Sequence, residues 1–215
     1  LCGHNFGTFR IEGNTAEKIS DEQGGWTFLK PLGHSNLLIE GTYYGLLVFE
    51  KTSGKWKFRN KIKGFYESSR YMVNGSKNEL WISHGYKSVF RIKLNESLDS
   101  AVKVDNYNSL QGFPTNFGIN VFEFKGKPIF TTTGGIYEYD AQTDRFVYSS
   151  EINRWMGNLS PSVICEDKAG NIWYFKENNA GVLRRQEDAS YFNLSIPFRK
   201  LDGEFIQGFQ FVYPL

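Results

Sequence analysis

The side chains that could do covalent or metal chemistry in this chain are few and scattered. Three histidines (His4, His34, His84) and two cysteines (Cys2, Cys165) are the whole complement of imidazole and thiol donors in 215 residues. None of them is spaced as a metal site is written into a helix or a hairpin. No Gly-x-Ser-x-Gly elbow or phosphate-binding loop occurs. Cys165, in Val163-Ile164-Cys165, reads as a small buried strand residue rather than half of a bridge to Cys2. A carboxylate pair needs no motif, because Asp and Glu from separate segments can converge on a glycosidic bond. A carbohydrate-active glycosidase or lyase is therefore the alternative to a binding protein, and a platform for protein partners is a third reading.

Recognition needs no nucleophile. A sugar or similar ligand calls for aromatic faces with donors and acceptors beside them. His4, Tyr43, Tyr44, Arg70, His84, Thr132, Arg154, Trp155 and Asn178 supply that mixture and are the expected ligand-binding residues. No residue is assigned to catalysis or to a metal, and no cofactor is expected.

What must position these residues is a repeat. A small residue followed by an alternating apolar strand recurs at Gly7-Thr-Phe-Arg-Ile11, Gly45-Leu-Leu-Val-Phe49, Ser88-Val-Phe-Arg-Ile92, Gly135-Ile-Tyr-Glu-Tyr139 and Gly181-Val-Leu-Arg-Arg185, with starts 38, 43, 47 and 46 residues apart. That period belongs to four-stranded propeller blades. A strand precedes each phrase, as in Leu80-Trp-Ile82 or Ile172-Trp-Tyr-Phe175, and turns such as Asn74 to Asn78 and Ala169-Gly170-Asn171 precede those strands. Each unit thus reads as strands a, b, c and d. A sandwich would also use short strands, but only a propeller repeats the whole four-strand unit.

The expected fold is all-β, a propeller of four-stranded antiparallel blades with about five repeats: 1–20 completed by 204–213, 25–60, 65–105, 115–150 and 160–195. These form a single domain over 1–215, either a closed five-bladed ring or a segment of a larger propeller. Helices should be almost absent; the nearest approach to a helical pattern is Lys93 to Val102. On this frame His4, Tyr43-Tyr44, His84, Thr131 to Thr133 and Asn178 share one station just after strand b. Arg70, Arg154 and Trp155 lie in long connections from strand d to the next strand a, at the same end of the blades.

Composition agrees. There are 19 Phe, 12 Tyr, 5 Trp and 22 Gly against 2 Met, a profile of short strands and turns. The charge of +2 advertises no grip on nucleic acid. No run approaches a membrane span, so no membrane contact is expected of this segment.

The blades lack the Gly-His and Trp-Asp signature of WD repeats. They resemble the two-component-regulator propeller family. The best copy is Ile164-Cys-Glu166-Asp167-Lys-Ala-Gly170-Asn171-Ile172-Trp173, continuing to Gly181-Val-Leu-Arg184; Asn78-Glu79-Leu80-Trp81-Ile82 keeps the tryptophan, and Lys127-Pro128-Ile129-Phe130 and Asn36-Leu37-Leu38-Ile39 replace it. The resemblance implies a non-catalytic, periplasmic or extracytoplasmic sensor of a membrane-anchored bacterial regulator of the Bacteroidetes type. It implies a small-molecule or oligosaccharide ligand, possible homodimerisation, and an output domain outside this chain. Trp81 and Trp173 are then packing residues, Gly170-Asn171 a turn, and Glu166-Asp167 a tie between blades or a turn cap.

Overall fold

The computed structural model describes residues 1–157, 159–176 and 179–194. It contains five antiparallel sheets, each with its strands in chain order. The first has three strands, β1 (Cys2–His4), β2 (Gly7–Glu12) and β3 (Thr15–Ser20). The other four have four strands each. The second comprises β4 (Thr27–Leu29), β5 (Leu37–Thr42), β6 (Gly45–Thr52) and β7 (Lys55–Lys61); the third comprises β8 (Tyr71–Asn74), β9 (Glu79–His84), β10 (Ser88–Leu94) and β11 (Ala101–Tyr107). The fourth comprises β12 (Asn120–Phe124), β13 (Lys127–Thr132), β14 (Gly135–Asp140) and β15 (Arg145–Tyr148), and the fifth β16 (Val163–Glu166), β17 (Ile172–Lys176), β18 (Asn179–Arg185) and β19 (Tyr191–Leu194). Residues 204–213, expected to complete the first blade, lie outside the described residues.

The chain divides into two compact units, Leu1–Tyr107 and Asn108 onward. In the first, the inner strands are apolar on both faces and pack sheet against sheet. Ile39, Leu46, Val48, Ile62, Leu80, Ile82 and Ile92 are sealed in one cluster. Strand d carries the solvent: β11 exposes Val102 and Val104. In the second unit Phe113 stacks on Phe146 at 3.9 Å, and Phe130 meets Phe146 edge-on at 4.7 Å.

The small residue that opens four of the five phrases has a backbone reason. Gly7, Gly45 and Gly135 have φ of 126°, 109° and 112°, and Ser88 takes φ 67° in the same position, a region that L side chains rarely enter. At Gly45 a Cβ would also lie 2.5 Å from the Phe65 carbonyl oxygen. The chain therefore turns from strand b into strand c with the following connection packed directly on the turn.

The best motif copy is a self-closing hairpin. Asp167 Oδ1 accepts from the backbone N–H groups of Ala169 and Asn171 at 2.9 Å, and its Oδ2 accepts from Trp173 Nε1 at 2.9 Å and Asn171 Nδ2 at 3.0 Å. Asn171 Oδ1 in turn accepts from Arg185 N. Glu166 Oε2 reaches across to the fourth sheet and accepts from Lys125 N at 2.7 Å. Asp167 caps the turn and Glu166 ties the sheets.

Regular helix is confined, among the described residues, to a 3-10 turn at Ser109–Gln111 and to α1 (Ser150–Met156). Lys93 to Val102 is the end of β10, a turn and the start of β11. Helix α1 occupies the connection where Arg154 and Trp155 were expected in a loop. Ile152 and Met156, four apart, are buried; Glu151 sits in the first turn, Arg154 in the last, and Gly157 closes the helix at φ 63°. Buried Asn153 anchors it, accepting from Ile136 N at 2.9 Å and donating to the Ile136 and Ser149 carbonyls. Cys2 and Cys165 are free thiols, and Cys165 is half-buried rather than sealed in the core.

Candidate functional site

The station after strand b is first of all turn chemistry. Thr42 Oγ1 donates to the Gly45 carbonyl and accepts from Tyr44 N; Thr132 Oγ1 donates to the Gly135 carbonyl and accepts from Gly134 N. His4 and His84 take the same role with a ring nitrogen. His4 Nδ1 accepts from Phe6 N at 3.2 Å, and His84 Nδ1 accepts from Tyr86 N and Lys87 N at 3.1 Å. Four hairpins thus place an acceptor where the backbone N–H two residues on would lack a partner. Thr132 is buried with its hydroxyl committed. Burial pushes the His84 pKa below the usual histidine value, Glu67 opposes, and Lys87 adds to the depression. Its Nε2 faces Glu67 Oε2 at 3.7 Å, and Lys87 Nζ pairs with the same carboxylate at 2.8 Å.

Around these hairpins the first unit assembles an aromatic and cationic patch. Trp26 N donates to the Gly41 carbonyl and Tyr43 N to the Gln23 carbonyl, so the connection into β4 runs beside the β5–β6 hairpin. Trp26 and Tyr43 meet edge to face at 5.3 Å, and Tyr43 and Tyr44 at 6.4 Å. Tyr43 Oη donates to Asn5 Oδ1 at 2.9 Å. The Tyr43 ring also lies against Gly24, where a Cβ would collide with it. Ser69 N donates to the Thr42 carbonyl, which brings the next connection onto the same hairpin. From there Arg70 lays its guanidinium 5.2 Å from the Trp26 ring centre and 5.1 Å from that of Tyr71. Trp26 remains 38 % and Tyr44 56 % exposed, enough aromatic face to stack on a ligand.

The structure therefore brings together Tyr43, Tyr44 and Arg70, and it places the His4 hairpin beside them through Asn5 and a Gly25 N to His4 O bond of 3.3 Å. His84 lies with Glu67, three residues before Arg70. Trp26, which the sequence reading missed, is the centre of the patch. Its signal was available: it stands immediately after Gly24-Gly25, away from the strand-b station where Trp81 and Trp173 pack.

Thr132, Arg154 and Trp155 belong to the second unit. Arg154 is exposed. Trp155 packs on Tyr191 at 4.7 Å and Phe124 at 6.3 Å, and the Lys125 ammonium sits 4.9 Å from its ring. That is a packed cluster of helix α1 with strands β12 and β19. Asn178 lies outside the described residues.

The patch can stack and hydrogen-bond, and its carboxylates are paired or buried. Glu67 is paired with Lys87, and Glu40 is fully buried, accepting from Thr8 Oγ1 at 2.5 Å. Among the described residues no group of three or more His, Cys, Asp or Glu could hold a metal ion, and no helix is long and apolar enough to cross a membrane.

No family model matches the chain, and no curated protein matches it. Solved structures do. The extracellular domain of a proposed hybrid two-component system, BT3049 of B. thetaiotaomicron, superposes with a TM-score of 0.61 at 16 % identity, over 92 % of this chain and 27 % of that one. The extracellular domain of BT4673 of the same organism, a proposed one-component system, gives 0.58 at 15 % identity over 90 % and 29 %. At these identities the likeness is one of fold. The blade repeats that resemble the two-component-regulator propeller family in sequence thus take the fold of extracellular domains from such systems, and the chain spans less than a third of their length.

Proposed function

We propose that this chain is a non-catalytic ligand-binding part of an extracytoplasmic bacterial sensor, reading a carbohydrate-derived ligand and signalling to an output domain in a membrane-anchored regulator. The five sheets are taken as consecutive blades of one propeller domain within that sensor, which leaves room for a homodimer. The observation that carries the reading is the Trp26, Tyr43, Tyr44 and Arg70 patch: open aromatic faces with a guanidinium, the Asn5 amide and a phenol at their rim. A sugar ring presents an apolar face to stack and hydroxyls to pair, which is the complement of this surface. Signalling then requires only that the ligand favour one arrangement of the sensor over another, by no more than its difference in affinity.

The test is a calorimetric titration of the 215-residue chain with a panel of oligosaccharides, with product analysis of the mixtures. A saturable heat without product is expected, weakened by about tenfold in Trp26→Ala and in Arg70→Ala. Product release that survives both substitutions would replace the sensor reading with an enzyme. Binding unchanged in both variants would move the site elsewhere.

A further inference from the structure

The second unit contains a cleft of about 420 Å³ that the aromatic patch does not use, lined by Gly118, Asn120, Thr131 to Thr133, Ser160 to Ser162 and Lys176. We propose that this cleft binds an oxyanion group, carboxylate or sulfate, carried on a small hydroxylated molecule. Its size is within the range of small-molecule sites. The proposal does not depend on the reading of the Trp26 patch.

Three observations carry it. First, Thr131 is 1 % exposed, and its Oγ1 has no hydrogen-bond partner, a state that buried hydroxyls rarely tolerate without a reason. Asn120 and Thr131 are direct cross-strand partners, so their side chains share one face of the sheet. Asn120 Nδ2 donates to the Ser162 carbonyl at 3.3 Å, which aims that face at the start of β16 and the cleft.

Second, the walls keep uncommitted donors. Thr132 is committed to its hairpin, Ser160 Oγ donates to the Thr133 carbonyl at 3.0 Å, and Ser162 Oγ donates to the Phe175 carbonyl at 3.2 Å. The Thr131 hydroxyl, the second Asn120 N–H and the Lys176 ammonium are left to give, beside the Asn120 Oδ1 and serine oxygens that can still accept, so the walls can meet an acceptor together with hydroxyls.

Third, Lys176 is the one charged residue among the described lining residues, and no ion pair to another described residue is formed. With no carboxylate among the described lining residues, a cationic ligand meets no counter-charge from them. An anion meets an ammonium and a row of hydroxyls.

The experiment is a calorimetric titration of the whole chain with glucuronate, glucose 6-sulfate and glucose. At least one of the two anions is expected to bind about tenfold or more tightly than glucose, and which one does separates the carboxylate from the sulfate source. Lys176→Met should reduce that anion to the affinity of glucose. Thr131→Val should weaken it about tenfold while leaving the melting temperature unchanged or raised, because an orphaned hydroxyl is replaced by an isosteric methyl. Trp26→Ala should leave the anion affinity unchanged, so that failure here and failure at the aromatic patch read separately. Equal binding of glucose and both anions, anion binding that survives Lys176→Met, or binding of none of the three overturns the proposal.

Discussion

Glu40 couples protonation to the fold. It is sealed on β5 against Thr8, Gly3 and Gly25, with Oε1 unpartnered. Burial pushes its pKa up to about 7, against the Thr8 hydrogen bond and the amino terminus, which pull it down. The folded carboxyl thus holds its proton where the unfolded one has released it. The stability this contributes is full below about pH 4.5 and is lost as pH rises through about 7, in total about 3 kcal/mol. Glu40→Gln, followed by urea unfolding from pH 4 to 8, should abolish that slope and be the more stable protein at pH 8. A slope unchanged by the substitution would place the titrating group elsewhere. In the sequence Glu40 is a polar residue after Leu37-Leu38-Ile39, and alternation alone would turn it to solvent. It is buried because Gly3 and Gly25 leave room for its carboxyl.

At the scale of elements, the hairpin station governs. Each threonine there satisfies one backbone donor and one backbone acceptor with a single hydroxyl, inside a turn that the next connection covers. Thr42→Val and Thr132→Val should each lower unfolding free energy by about 2 kcal/mol, and the corresponding serine variants should recover most of it, as read from urea midpoints. Valine variants at wild-type stability would show that the turn holds without the hydroxyl. The strands themselves were legible from the sequence, because period-2 patterning and a positive-φ residue at four of the strand b to c turns leave a mark in composition at Gly7, Gly45, Ser88 and Gly135. Helix α1 was less so. Seven residues give one apolar i, i+4 pair, and its decisive contact, Asn153 with Ile136, joins positions 17 residues apart.

The whole molecule should respond to ligand by mass action. A ligand at about 100 times its dissociation constant adds roughly 2.7 kcal/mol, which for a chain of this size is a rise of several degrees in Tm. The oligosaccharide that gives the calorimetric signal should give this shift, and a ligand that binds without it would be binding the unfolded chain equally well.

By itself the sequence determined the period, the four-strand unit, the all-β class and the turn chemistry of Asp167-Lys-Ala-Gly170-Asn171. All of these are set by neighbours within a few residues, or by a pattern repeated often enough to stand out. Only the tertiary structure decided that Tyr43, Tyr44 and Arg70 gather with Trp26, that Trp155 packs on Tyr191 and Phe124, and that Thr131 buries an unpartnered hydroxyl in the wall of a cleft that Lys176 also lines. Those are contacts between separate sheets and connections, made by packing once each, and a contact made once leaves no period to read.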